Sequence, residues 1–168
     1  VWSLVSALRA ALRARRHQYE IRDALAEQVR QREALRESEE RYRSLIEVSP
    51  QIVWIGRDDG ASTFCNRQWL DRTGLTTEES LGSGWTQAIH PGHRDRVHNL
   101  WVEAVARGGC FEAEIPFRRA ADGEYRWHLA KAVPIVAEDG SRAHWLGVAT
   151  DIHDRKEAQE RERRVTAE

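Results

Sequence analysis

Three histidines gather around one proline: His90 and His93 flank Pro91, and His98 follows further along the same predicted helix. An i, i+3 pair of imidazoles could begin a zinc site. Such a site needs further ligands at short spacing, and Cys65, Cys110, His128, His144 and His153 are scattered instead, so no metal site is expected. His98 is a separate case. At 100° per residue it lies roughly 60° around the helix from Trp101, on the border of an apolar stripe formed by Val97, Trp101, Ala104 and Val105. Turned inward, its imidazole could serve as an axial ligand to haem iron. Turned outward, it is a border histidine whose nitrogens are satisfied by water or backbone.

Of the seven tryptophans, six (Trp54, Trp69, Trp85, Trp101, Trp127 and Trp145) fall after residue 50. Each brings a large apolar area and one N–H that wants a partner, so together they either fill an interior or line a cavity for a flat ligand. The candidate cavity wall is these six with Asn66 and His98. A flavin would stack against indoles. The segment from Gly82 to His90 holds no cysteine, however, which removes the thiol chemistry of blue-light sensors and leaves flavin behind haem as a cofactor.

Enzyme signatures are missing: no Gly-x-Ser-x-Gly, no Gly-rich phosphate loop followed by Lys and Ser or Thr, and no His-Glu-x-x-His. The carboxylates fall in turn positions (Asp58, Asp59, Asp122, Asp139) or on helix surfaces, where solvated charge is the default. No catalytic residue is therefore assigned. With 26 Lys and Arg against 27 Asp and Glu, the formal net charge of −1 offers no general attraction to nucleic acid. Two cysteines are too few for a disulfide framework and fit a reducing, intracellular setting. No apolar run is long enough to span a bilayer. The opening Val1 to Leu8 is followed by Arg9, Arg13, Arg15 and Arg16, which is how the cytoplasmic flank of a transmembrane helix looks in a piece cut from a longer protein. An amphipathic helix start, with Val1, Val5, Leu8 and Leu12 on one stripe, is the other reading.

The elements that must position these residues follow from composition and period. Residues 1–46 contain neither Gly nor Pro and are rich in Ala, Leu, Arg, Glu and Gln, which predicts one long helix. Written in heptads, Ile21, Gln28, Leu35 and Tyr42 fall at d and Leu25, Arg32, Glu39 and Ile46 at a. That is a weak coiled-coil seam, and pairing with a second copy is the simplest way to cover Ile21, Leu25, Leu35 and Tyr42; the alternative is a solvated helix packed on its own domain. Ser49-Pro50 ends the helix.

Strands are expected at Gln51–Arg57 and Ala61–Cys65 around a turn at Asp58-Asp59-Gly60. Short helices follow at Asn66–Thr73, Thr76–Leu81 and Trp85–Ile89, and a longer one runs from Pro91 to Gly108. Period-two alternation then marks Phe111 to Phe117 and Tyr125 to Leu129, with a third run from Arg142 to Thr150 after a turn at Glu138-Asp139-Gly140. Charged helical composition returns from Asp151 to Arg164. The order predicts an α+β fold with an antiparallel sheet, divided as a helix over 1–46, a globular domain over 47–151 and a closing helix over 152–168.

Several stretches, taken in order, resemble one family. Glu40-Arg41-Tyr42-Arg43-Ser44-Leu45-Ile46 precedes Ser49-Pro50, and Asn66-Arg67-Gln68-Trp69-Leu70 and Thr73-Gly74-Leu75 follow. Gly84-Trp85 and Ala88-Ile89-His90-Pro91 come next. Arg118-Arg119 through Asp122-Gly123-Glu124-Tyr125-Arg126-Trp127, and Gly147 through Thr150-Asp151-Ile152, complete the set. From Glu39 to Glu157 the chain resembles a PAS domain with its PAC motif, in particular the tryptophan-rich subgroup.

The resemblance implies a five-stranded antiparallel sheet of order 2-1-5-4-3 with helices over one face. It also implies a non-enzymatic sensory and dimerisation module of a bacterial signalling protein, joined in the same polypeptide to an output domain such as a histidine kinase. A homodimer, a small-molecule ligand and a cytoplasmic location, with or without a tether to the inner membrane, are the matching expectations. Asp151-Ile152-His153-Asp154-Arg155-Lys156 looks like the family's junction to the output helix. Asp151, Ile152 and Lys156 are therefore the expected transmission residues, with Asp151 capping the helix and pairing with Lys156 or Arg155. The haem-binding members imply a gas or redox sensor through His98, and ligandless members imply a dimerising spacer or docking module.

Overall fold

The computed structural model describes residues 2–137 and 140–166, so Val1 of the expected stripe and Glu138 and Asp139 of the expected turn lie outside the described residues. Two compact units divide the chain, Val1–Leu45 and Ile46–Glu168. The first is the bulk of helix α1 (Trp2–Glu47), unbroken over 46 residues as the lack of Gly and Pro predicts. Ile21, Leu25, Leu35 and Tyr42 are 48–66% exposed, so the apolar seam is left uncovered. Ion pairs such as Arg16–Glu20 at 3.2 Å and Arg36–Glu40 at 2.8 Å join successive turns, but each contributes only about 0.3–0.5 kcal/mol.

In the second unit, β1 (Ile52–Arg57) and β2 (Ser62–Cys65) form a hairpin. Asp59 shapes its turn by accepting the Ala61 N–H at 2.9 Å, and Gly60 supplies the required positive φ of 85°. Helices α2 (Arg67–Thr73) and α3 (Thr77–Ser80) follow, the latter closed by a capping box between Thr76 and Glu79. Helix α4 (Arg94–Arg107), strands β3 (Phe111–Arg118), β4 (Tyr125–Val136) and β5 (Arg142–Asp151) and helix α5 (His153–Thr166) complete the order. The sheet runs β2-β1-β5-β4-β3 with every pair antiparallel, the α+β arrangement expected.

Two local expectations are corrected. The segment around Trp85 is a 3-10 helix (Gly84–Ala88), and the helix expected from Pro91 becomes regular only at Arg94, because Pro91–His93 is itself a 3-10 turn in which His90 Nδ1 accepts the Gly92 N–H at 3.1 Å.

Register decides which side chains meet. Ile52 and Trp54 of β1 face Ala149 and Gly147 of β5, and His128, Ala130 and Ala132 of β4 face Asp151, Ala149 and Gly147. These share one face of the sheet with Phe111, Ala113, Ile115 and Phe117 of β3. Over that face lie Trp69 of α2 and Val97, Trp101 and Ala104 of α4, all buried. Trp127 of β4, expected in the cavity wall, stands on the opposite face with Tyr125 and Leu129. Small alanines occupy the inner positions and leave room for the Trp101 and Trp145 indoles, whose ring centroids are 5.0 Å apart.

Candidate functional site

Between sheet and helices lies a cavity of about 40 Å3, lined by Trp54, Trp69, Trp85 and Trp101 together with Ile52, Ser62, Cys65, Phe111, Ile115, Phe117, Ala130 and Ala149. Its indoles are held edge-to-face: Trp54 on Trp101 at 5.1 Å and Trp69 on Phe117 at 5.0 Å. Two of their N–H groups are committed, Trp69 Nε1 to Ser80 Oγ at 2.9 Å and Trp101 Nε1 to the Gly60 carbonyl at 3.1 Å. Ser62 Oγ and Cys65 Sγ share a hydrogen bond at 3.6 Å, and burial pushes the Cys65 thiol up, which favours the unreactive protonated form. Gly147 is required here. A Cβ on it would stand 2.1 Å from Trp54 Cε2, so only glycine lets that indole lie across β5.

Of the eight residues expected in the cavity wall, Trp54, Trp69, Trp85 and Trp101 line it and four do not. Trp145 is fully buried behind Trp101, with no partner for its Nε1 among the described residues. Asn66 is fully buried as a structural tie. Its carbonyl oxygen accepts the Val53 N–H at 3.0 Å, while its amide donates to the Ile46 and Gln51 carbonyls at 3.0 and 2.9 Å. Trp127 lies on the outer face of the sheet. His98 is exposed, because the buried stripe centres on Val97, Trp101 and Ala104 and His98 sits roughly 100° around the helix from Val97. A haem does not fit: the cavity is far below the roughly 300–1,000 Å3 of cofactor and ligand sites, and His98 does not face it.

Sequence reasoning missed a second, larger concavity. About 360 Å3 in volume, it opens where β5 meets α5 and is lined by Arg72, Thr73, Arg118, Arg119, Arg126, His128 and Asp151, with Ile52 and Phe117 shared with the core cavity. Asp151 is the hub. Arg126 donates from Nε to Oδ2 at 2.8 Å and from Nη2 to Oδ1 at 3.3 Å, Arg72 Nη1 donates to Oδ2 at 3.4 Å, and the His153 N–H at the start of α5 donates to Oδ1 at 3.0 Å. Burial raises the Asp151 pKa, but the Arg126 hydrogen bond and the His153 N–H outweigh it and leave it below the ordinary 3.8.

The cap role expected of Asp151 is therefore present, while its expected pairing with Lys156 or Arg155 is replaced by Arg126 and Arg72. Lys156 instead pairs with Glu114 of β3 and stands 4.3 Å from the centre of the Trp127 ring, a cation over an aromatic face. Ile152 between them is buried and donates its N–H to the Trp127 carbonyl at 2.9 Å. In the sequence, the family-like junction at Asp151 marks the hub of this clasp but not its arginine partners.

Comparison with known proteins places residues 62–149 in the family model described as PAS fold. A peroxide stress-activated histidine kinase, mak1 of Schizosaccharomyces pombe, is 41% identical over 82% of this chain and 9% of its own length. The uncharacterized protein y4lL of Sinorhizobium fredii is 34% identical over 76% of this chain and 15% of its own. The chain thus spans only a small part of these curated relatives. Among solved structures, the crystal structure of a PAS domain from Colwellia psychrerythraea superposes with a TM-score of 0.56 at 20% identity, covering 68% of this chain and 97% of that one.

Proposed function

The chain belongs to the PAS family, and on that premise we propose that it is the sensory and dimerisation module of a signal-transduction protein, passing a change in the domain to an output domain through the Asp151–Ile152 junction and α5. The observation that carries this reading is the clasp on Asp151: one carboxylate ties α2 through Arg72, β4 through Arg126 and the first turn of α5 through the His153 N–H. A shift of α2 or β4 therefore alters the restraint on the helix that leaves the domain. An output is biased only by an event that favours one arrangement over the other, and loss or retention of this clasp defines two such arrangements. The kinase activity in the name of mak1 supports a histidine kinase of a two-component system as the output.

The uncovered seam at Ile21, Leu25, Leu35 and Tyr42 supports a homodimer through a parallel coiled coil of α1. Arg9, Arg13, Arg15 and Arg16 support a cytoplasmic location beside a membrane tether in the full-length protein. No described helix is long and apolar enough to cross a membrane. The smallness of the indole-lined cavity favours a second reading, a ligandless module that serves as dimerising spacer or protein-docking domain.

To test the transmission role, the intact chain is fused through α5 to the catalytic core of a histidine kinase and autophosphorylation is compared for the parent and Asp151→Asn. A changed rate in a folded, dimeric fusion supports the reading. Equal rates oppose it.

A further inference from the structure

We propose that the cleft formed by Arg72, Arg118, Arg119 and Arg126 binds a small oxyanion, a carboxylate or phosphate compound, which competes with Asp151 for the Arg126 and Arg72 guanidinium groups. The cleft holds about 360 Å3, several times the core cavity and within the range of small-ligand sites. Arg72, Arg118, Arg119 and Arg126 line it against one lining carboxylate, Asp151. Two more carboxylates approach from outside: Asp122 pairs with Arg119, and Asp154, 84% exposed, meets Arg126 at 3.0 Å. Arg118 has no side-chain partner among the described residues. The guanidinium fork matches both carboxylate and phosphate oxygens, and several arginines at one opening raise the local concentration of such anions.

His128 closes the wall beneath the arginines: its Nδ1 meets the Arg126 carbonyl at 2.9 Å and its Nε2 is buried away from solvent, so the ring supports β4 below Arg126 rather than touching the anion.

Arg72, Arg126 and Asp151 belong both to this cleft and to the clasp on α5. An anion seated on the two arginines replaces Asp151 as their partner and frees the carboxylate that restrains the His153 N–H. The coupling to α5 rests on the junction reading given above, whereas the binding does not.

The test is a titration of the intact, isotope-labelled chain with inorganic phosphate and, separately, malate, at ionic strength held constant with chloride, followed by NMR at the Arg118, Arg119, Arg126 and His153 signals. Saturable shifts at these positions are expected with one or both probes. The arm that saturates tells phosphate from carboxylate chemistry. Arg118→Gln, which removes no internal contact, is expected to weaken binding about tenfold, the worth of one charge-assisted hydrogen bond, and Asp151→Asn to tighten it several-fold by removing the competitor.

Shifts that fail to saturate, that Arg118→Gln leaves unchanged, or that are matched at Arg13 and Arg30 of α1 would overturn the site. Saturable binding in the cleft that leaves the His153 amide unmoved, with no gain in Asp151→Asn, would overturn the competition with Asp151. Binding and competition with an unaltered output in the kinase fusion would count against the junction reading alone.

Discussion

Arg126 grips Asp151 with two nitrogens, Nε to Oδ2 at 2.8 Å and Nη2 to Oδ1 at 3.3 Å, although 25 residues separate them in the chain. Both side chains are only a fifth to a quarter exposed, so solvent screens this pair less than the open pairs along α1. A double-mutant cycle of Arg126→Gln and Asp151→Asn is expected to give a coupling of about 1–2 kcal/mol by chemical denaturation, against a few tenths for Arg36 and Glu40. A coupling no larger than that of the surface pair would show the clasp to be incidental. Because the Asp151 pKa lies below 3.8 in the folded chain, the coupling is fully present above that value and fades as pH falls through the lowered one.

The Trp54 indole occupies the place where a Gly147 Cβ would stand. Gly147→Ala is expected to destabilise the domain by about 2–4 kcal/mol, because either the indole or β5 must move. Combining it with Trp54→Leu, which vacates the space, should reduce the added cost of the alanine below about 1 kcal/mol. An equally large cost in both backgrounds would place the strain elsewhere in β5.

Burial pushes the His128 imidazole below the usual 6.5, although its hydrogen bond to the Arg126 carbonyl and the charge of Asp151 act in the opposite direction. Below pH 6.5 the unfolded chain takes up a proton that the folded chain resists. Stability therefore falls as pH drops from 6.5 toward the lowered value, and is complete above 6.5. His128→Phe should flatten that part of the stability profile, with loss of the Nδ1 hydrogen bond seen only as a constant offset. His93, whose pKa is likewise lowered by burial and by Arg96 and His90, supplies the slope that remains. A profile of unchanged slope in His128→Phe would contradict the assignment.

The seam on α1 makes its own prediction. Leu25→Glu with Leu35→Glu places like charges where the proposed dimer would bury leucines, and sedimentation should show a shift from dimer to monomer with the sheet domain still folded. A dimer of unchanged affinity would move the interface off this seam, for which the partly open outer face of the sheet, with Val133 and Val136 exposed, is the alternative surface.

Local pattern made the elements legible and left their partners hidden. Period two in Phe111 to Phe117, the Pro at 91 and the Gly at 108 mark strands and helix ends because these signals act within a few residues. Trp127 stands outside the core although its bulk suggests burial: His128, Ala130 and Ala132 face the core instead, where tryptophans from other elements need small neighbours. Spacing leaves His98 open between inward and outward, and it points outward because the buried stripe centres on Val97, Trp101 and Ala104. The cap at Asp151 is legible at the junction, but its arginine partners and the arginine cleft are not. Arg72 lies 79 residues from Asp151 and reaches it from α2, while the register of β4 against β5, with His128 opposite Asp151, brings Arg126 near.

Amide hydrogen exchange of α5 in the parent and in Asp151→Asn tests most directly whether the clasp restrains the outgoing helix. The account predicts that the amides of His153 to Lys156 and the turns after them exchange about tenfold faster in the variant, while those of Ala130, Ala132 and Ala149 in the sheet keep their protection. Protection of α5 unchanged by the substitution, or lost in step with that of the sheet, would contradict it.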